Sequence, residues 1–503
     1  MNRLALFLLA LSVYLLSMTG TLGIDEETMY LVTEAIAERG EVAVGPSMLT
    51  KTWTTTVRGR EYSILEIGQS ILALPFYYMG RLAAPHAPGP LQPYVTRGAV
   101  ALLGPIAGAS AVLLLALVVE ALGHSRGRGV AVGLLAAFGT ILWPYARTFY
   151  REPVLAALFL LVVWAILRYR ADGRARWIAI ASIAFAVAGT VRVLTIGLAP
   201  VFIAYIAGAE RRRSETTAGT GGHKGRPCRG VVSLVAMFAI GTGVAGAIDL
   251  AYNAIRFGSP WSTGYPADER FGNPLLRGIS GYLLSPGRSV FLYAPVLLIA
   301  MCGVRRMWRE ARGTLLLVAA VAAYHVCVYG CWWAWANGRG LWGPRYLVPA
   351  VPLMLLPAAW VRPGRAWKAI LAISIAIQVL GVLTWGRFLL NPEKEKVDVE
   401  LKSFDVHHSA VLSWDAWRSL GALRWDRAFP PGVARDPHSD IAHELKDTTA
   451  ATWWALAWRA GFSAKWLLGA AFLALVAFGS GLALLKLRHS GIPRDDPRGS
   501  ESQ

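Results

Sequence analysis

Apolar runs of roughly 15–25 residues recur along the chain, and short clusters of arginine separate them. A helix needs about 20 apolar residues to cross the hydrocarbon of a bilayer. Only helices and closed barrels satisfy every backbone group there. The pattern therefore dictates an all-α polytopic membrane protein. Composition agrees, with 55% apolar and 16% charged residues against about 25% charged in a soluble domain. A disordered chain, a secreted disulfide scaffold and a cytosolic enzyme are excluded. The net charge of +19 does not call for nucleic acid: the basic residues flank the apolar runs, and no nucleic-acid-binding motif is visible. Four cysteines (Cys228, Cys302, Cys327, Cys331) are too scattered for a disulfide framework.

The positive-inside rule orients the spans. Leu4–Gly20, preceded by Arg3, reads as an uncleaved anchor with its N-terminus in the cytoplasm. Ser70–Ala84 is short and carries Pro75 and Arg81, so it reads as an interfacial helix that does not cross. The next span, Gly98–Gly123, then delivers Arg126 and Arg128 to the cytoplasm. The same parity splits Trp177–Ala209 into two short spans meeting near Arg192, which keeps Arg168–Arg176 and Arg211–Arg229 on one side. The remaining spans are 129–146, 152–169, 231–252, 289–304, 314–331, 345–361, 369–389 and 466–486, about twelve in all. Both termini are expected in the cytoplasm of a plasma-membrane protein. The organisation is a core over 1–389 with outer loops 21–97, 253–288 and 332–344, an outer segment 390–465, a last span 466–486, and a disordered tail 487–503.

Parity alone places Asp25, Glu152, Arg192, Arg256, Arg288 and Arg345 on the outer side. Asp25, followed by Glu26 and Glu27, opens a helical pattern in which Met29, Val32 and Ile36 recur, as in an amphipathic surface helix. Asp25 serves there either as an N-cap or as a carboxylate base at the membrane rim. Glu152 follows Arg151 and precedes Pro153, the place of a cap and local ion pair or of a second site carboxylate. An ionisable residue inside an apolar stretch is functional by default, which singles out Arg192; the alternative is snorkelling. The loop before Arg345 holds Gly338, Gly340, Gly343 and Pro344, and Arg345 itself, at a helix entrance, is expected to pack little. Converging arginines suit a phosphate, and a carboxylate suits proton removal from an acceptor hydroxyl. The donor-phosphate candidates are Arg192, Arg345, Arg288 and Arg256, with Glu26, Tyr62 and Arg151 as further candidates.

Several segments together carry a resemblance. They are Asp25-Glu26 after the first span, Tyr62 through Pro75, Arg151-Glu152-Pro153, Asn253 through Tyr265, Leu284 through Arg288, and Trp342 through Tyr346. In order and membrane side these resemble the GT-C membrane glycosyltransferases, the broad class of protein O-mannosyltransferases and lipid A aminoarabinose transferases. The resemblance covers about residues 1–360. It implies an outer-face site, a polyprenyl-phosphate sugar donor and inverting transfer to a cell-envelope glycan, lipid or protein. Asp25 matches the acidic residue of the first outer loop, implying the base. Glu152 matches the acidic position of the second outer loop, which is sometimes linked to a divalent metal. Here that loop has one carboxylate rather than an Asp-x-Asp pair, so the resemblance implies no certain cofactor, and a divalent metal stays open. Trp414, Trp417, Trp425, Trp453, Trp454 and Trp458 serve acceptor stacking or interfacial helices. A transporter or flippase of a lipid-linked sugar, or a non-catalytic envelope assembly protein, remains the alternative function.

Overall fold

The computed structural model describes residues 2–490 except 22, 49–51, 88, 90–91, 220–229, 268, 337–340, 385–401, 429–451 and 462–464. The expected disordered tail lies outside the described residues beyond 490, and the last helix continues to Ser490. Among the described residues, seven helical stretches are long and apolar enough to cross a membrane: Gln92–Ala121, Glu152–Asp172, Val193–Ser214, Val231–Phe257, Leu297–Gly330, Arg365–Leu383 and Leu467–Leu484. Shorter apolar helices are Arg3–Leu16, Arg176–Val191, Leu275–Leu284 and Val351–Trp360. Length and apolar character single out these seven stretches among the described residues and do not by themselves set the number of crossings, expected at about twelve.

The elements that position the site come first in the chain. Helix α1 (Asn2–Leu16) is followed by α2 (Ile24–Arg39), a two-stranded hairpin of β1 (Thr54–Val57) and β2 (Arg60–Ser63), and α3 (Gly68–Ala83). The hairpin turns through Arg58 and Gly59, both at positive φ (53° and 78°), the backbone hand that suits a two-residue hairpin loop. Helix α3 packs against α2 and is not among the apolar helices that could cross. Then come α4 (Gln92–Ala101), α5 (Leu103–Ala121), α6 (Arg126–Gly139), α7 (Leu142–Ala146), α8 (Glu152–Asp172) and α9 (Arg176–Val191). Pro153 sits in the first turn of α8, where its missing N–H costs nothing, and Gly173 closes the helix at φ 67°.

Helix α9 stops where the sequence places a break. Arg192 is extended (φ −155°, ψ 110°), and a 3-10 turn over Val193–Leu198 leads into α10 (Ala199–Gly219). Helix α11 (Val231–Phe257) runs five residues past the expected span end, which puts Asn253 and Arg256 in its last turns rather than in a loop. After α12 (Leu275–Leu284) and α13 (Val290–Tyr293) comes α14 (Leu297–Gly330), broken at Ala311 (φ −138°, ψ 43°). Near the break, Glu310 accepts the Trp360 indole N–H at 2.7 Å, and Trp360 lies edge-on to His124. The two ends of α14 return to the opposite end of the bundle, Val296 against Gly139 and His325 against Phe159. The two arms thus fold back on each other around the arginine-rich turn.

Helix α15 (Val351–Met354) and α16 (Arg365–Leu383) follow, then α17 (Trp414–Arg418), α18 (Trp453–Arg459) and α19 (Lys465–Ser490). Helix α19 packs along α1. The C-terminal carbonyls of α1, which have no partner within the helix, are taken up by indoles: Trp453 and Trp454 Nε1 donate to the Leu15 and Leu16 carbonyls, both at 2.9 Å. Trp417 and Trp458 Nε1 likewise donate to the Val411 and Trp425 carbonyls. These tryptophans therefore knit the segment to itself and to α1.

Close packing at the turn between α7 and α8 is sharp at Gly104, where a Cβ would stand 1.9 Å from the Thr148 carbonyl oxygen. Thr148 also bridges Gly20. We expect Gly104→Ala to cost about 1–3 kcal/mol through overpacking, read as a lower melting temperature in detergent.

Candidate functional site

Three adjacent carboxylates open α2, and they do different work. The helix begins at Ile24 with Gly23 as its N-cap, so Asp25 lies inside the first turn and is not the cap. Glu26 Oε2 accepts the Gly23 N–H at 2.7 Å, and Glu26 Oε1 accepts the Phe149 N–H at 2.6 Å. Glu27 takes a forked ion pair from Arg97 on α4, at 2.8 and 3.0 Å. Glu26 and Glu27 thus clamp α2 to α4 and to the turn before α8. The expected amphipathic surface helix is corrected: Glu26 through Thr33 are all buried, because α3, the 147–151 turn and α4 surround the first two turns.

Asp25 is left to face the centre of this end. Trp53 Nε1 donates to Asp25 Oδ1 at 2.7 Å, and Arg345 Nη2 donates to Asp25 Oδ2 at 2.5 Å. The same guanidinium reaches Glu152 Oε1 through Nε at 2.7 Å. Arg192 Nη1 joins that oxygen at 3.3 Å. Glu152 is fully buried, and its Oε2 has no hydrogen-bond partner among the described residues. Beside it, Arg151 pairs with Glu66, whose Oε1 also accepts the Val193 N–H at 3.1 Å. Aromatic rings floor the arginines: Arg345 lies 4.3 Å from the centre of the Tyr150 ring, and Arg192 lies 4.7 and 4.8 Å from those of Tyr329 and Tyr346, which stack on each other. Such desolvated cation–π contacts add to the hold on each guanidinium.

Of the nominated residues, the structure brings together Asp25, Glu152, Arg151, Arg192 and Arg345. It does not bring the other two arginines to these carboxylates. Arg256 is directed at the Ser63 and Leu65 carbonyls and at Asn253 Oδ1, so it pins the segment after β2. Arg288 donates to the Ala336 carbonyl at 2.5 Å and to Gly287 and Leu341, shaping the tryptophan-rich loop. Residues 337–340 of that loop lie outside the described residues. Tyr62 sits on β2 opposite Thr55 and builds the hairpin. Arg345 does not pack lightly: it is buried, with two carboxylates on one fork. Glu66 is the member that sequence reasoning missed. It lies within the Tyr62–Pro75 segment, but no local pattern separates it from a surface glutamate.

Burial by itself would push the Asp25 carboxyl up. The charges of Arg345 and Arg151, with the hydrogen bonds from Arg345 and Trp53, outweigh it and hold Asp25 below the usual carboxylate range. The same contest, with Arg151 and Arg192 as the opposing charges, lowers Glu66. Three guanidiniums therefore meet three carboxylates. Among the described residues no group of three or more His, Cys, Asp or Glu is placed to hold a metal ion. Carboxylates each held by an arginine do not fit a divalent cation.

No protein-family model matches the chain, and no curated protein matches it. Among solved structures it is similar to ArnT from Cupriavidus metallidurans in the apo state, with 14% identity, a TM-score of 0.47, and 96% of this chain and 76% of that chain covered. It is also similar to the archaeal oligosaccharyltransferase AglB from Archaeoglobus fulgidus in complex with an inhibitory peptide and a dolichol-phosphate, with 11% identity, a TM-score of 0.42, and 98% and 56% covered.

Removing one member of a buried ion pair leaves the other uncompensated. Glu152→Gln should therefore cost about 3–5 kcal/mol, measured as a lower melting temperature. Because the folded Asp25 carboxyl titrates below its unfolded value, the pair with Arg345 stabilises fully above the ordinary carboxylate pKa of about 3.9. That contribution is lost as pH falls through the lower folded value. Asp25→Asn should flatten the acid limb of the melting-temperature profile.

Proposed function

We propose that the protein is a membrane glycosyltransferase. It moves a sugar from a polyprenyl-phosphate donor to an acceptor hydroxyl of a cell-envelope glycan, lipid or protein, with inversion. The observation that carries the reading is the fork of Arg345, which joins Asp25 to Glu152 while Arg192 closes on the same Glu152 oxygen. Four separate chain segments converge to place two carboxylates and two arginines in one desolvated cluster at one end of the bundle. The sequence resemblance to GT-C enzymes supports the same roles. Arginine turns at the other end favour the cytoplasm there, which supports a reading with the cluster at the outer face of the plasma membrane and both termini inside.

In the resting site both guanidiniums are occupied by carboxylates. A donor phosphate binds by exchange: its oxygens take over donors of Arg345 and Arg192. As Arg345 turns to the phosphate, Asp25 loses the charge that depresses its pKa and becomes a stronger base. Asp25 then takes the proton of the acceptor hydroxyl as its oxygen attacks the anomeric carbon from the face opposite the phosphate. The C–O bond to the phosphate breaks, and the bonding pair leaves with polyprenyl phosphate, which needs no protonating acid. Glu152 keeps the two arginines oriented throughout.

The test is incubation of the purified protein with radiolabelled polyprenyl-phosphate sugars, followed by the label in an acceptor. Asp25→Asn should lower transfer by about 10²–10⁴-fold while the protein still binds polyprenyl phosphate. Full activity in Asp25→Asn would remove it as the base. Arg345→Lys should weaken donor use, since an ammonium cannot grip two oxygens in one plane. Unchanged donor affinity in that variant would take Arg345 out of the phosphate site.

A further inference from the structure

Helix α11 carries an ionisable side chain that the site described above does not use. Asp249 is 6% exposed, and neither carboxylate oxygen has a hydrogen-bond partner among the described residues. Most of α11 turns outward: Ile240, Val244, Ile248 and Ile255 are exposed. The inward stripe is Ala245, Asp249, Tyr252 and Arg256, at helix spacing and all buried. Asp249 is about 12 Å below the end of the helix at Phe257, within an apolar segment where a charge is expensive and functional by default.

The register of α11 on α9 fixes its height. Ser182 Oγ donates to the Met237 carbonyl at 2.8 Å, and Gly189 meets Ala245. One turn further on, residue 249 comes level with residues 192 and 193, where α9 breaks at Arg192 and Val193 donates to Glu66. Asp249 feels the charges of Glu66 and Arg256 directly. On the same side, Tyr265 is in the field of Glu66, Arg151, Arg192 and Tyr346. Asp249 thus belongs to a wall of tyrosines and carboxylates flanking the arginines. Unlike Glu66 and Glu152, it has no donor of its own among the described residues.

A buried carboxylate without donors destabilises the fold that holds it, and its position asks for a donor from outside the chain. We propose that Asp249 is a sugar-recognition residue: it accepts hydrogen bonds from the hydroxyl or ammonium substituents of the donor's glycosyl group, while Arg345 and Arg192 hold the phosphate. A sugar ring fits this wall because its C–H face packs on tyrosine and its substituents donate to carboxylates. The inference rests on the glycosyltransferase reading and adds the residue that distinguishes one sugar from another.

The experiment compares wild type, Asp249→Asn and Asp249→Leu in binding bare polyprenyl phosphate and a panel of mannosyl-, glucosyl-, arabinosyl- and aminoarabinosyl-polyprenyl phosphates. Both variants should bind the bare lipid within about twofold of wild type. They should lose about ten- to a hundredfold in affinity for the sugar-bearing lipid that wild type prefers, as expected for a lost charged hydrogen bond. Loss confined to an amino sugar identifies an ammonium, and loss across neutral sugars identifies hydroxyls. Asp249→Leu should also melt higher than wild type without ligand, which a residue kept for stability would not do. Undiminished sugar discrimination in both variants overturns the assignment and leaves the glycosyltransferase reading standing. If wild type binds neither kind of lipid, both fall together.

Discussion

The guanidinium of Arg345, shared between Asp25 and Glu152, is the contact around which this end of the molecule is organised. Taking ions out of water is costly, and a pair offsets that cost only with close geometry and further hydrogen bonds. Arg345 meets both conditions: its partners stand at 2.5 and 2.7 Å, and the Tyr150 ring covers its face. Asp25 comes from α2, Glu152 from the start of α8, and Arg345 from the segment before α15. The helices cannot close on this end without bringing these three together, so the charges set how the segments align. Arg192 adds a fourth segment through the same Glu152 oxygen.

What surrounds the cluster holds it at fixed geometry. Glu26 binds the Phe149 N–H and so fixes the start of α8 relative to α2. Glu27 fixes α4 through Arg97. Ser70 Oγ and Thr33 Oγ1 tie α3 to α2 through the Met29 and Ser70 carbonyls. Arg256 holds the Ser63 and Leu65 carbonyls and with them the strand that leads to Glu66. Each of these contacts is polar and buried, where an unmade hydrogen bond is more costly than a made one is favourable. They therefore specify one arrangement more than they add stability.

The parts legible in the sequence are those with a local or a parity signal. The apolar runs, the break at Arg192 and the turn of arginines near Ala311 all follow from hydropathy and charge alternation. Asp25, Glu152, Arg192 and Arg345 were legible because an ionisable residue beside an apolar run needs a reason. The rest was not legible, because it depends on which chain segment arrives opposite. Glu66 differs in no local way from the exposed Glu61, and only the docking of Arg151 and Val193 brings it into the cluster. Arg256 and Arg288 look like phosphate ligands in sequence, yet backbone carbonyls from distant loops reach them. The same holds for Trp453 and Trp454, whose indoles meet the end of α1 across most of the chain.

Asp249 and Glu152 show two ways of burying a carboxylate in one protein. Glu152 has one oxygen taken up by Arg345 and Arg192, partners that the chain itself supplies from two other segments. Asp249 sits on α11, whose other faces turn outward, so only one side of that helix can offer donors. The inward stripe provides Tyr252 and Arg256, but Arg256 is directed at the strand carbonyls and its guanidinium stacks 3.7 Å from the centre of the Tyr252 ring. Arg256 is therefore already committed, and the Tyr252 hydroxyl is buried without a hydrogen-bond partner among the described residues. A chain selected for stability alone would place an apolar residue at 249, as it does at 245 and 248. A carboxylate retained there, level with the arginines and one helix away from them, makes sense when its partner arrives with the substrate.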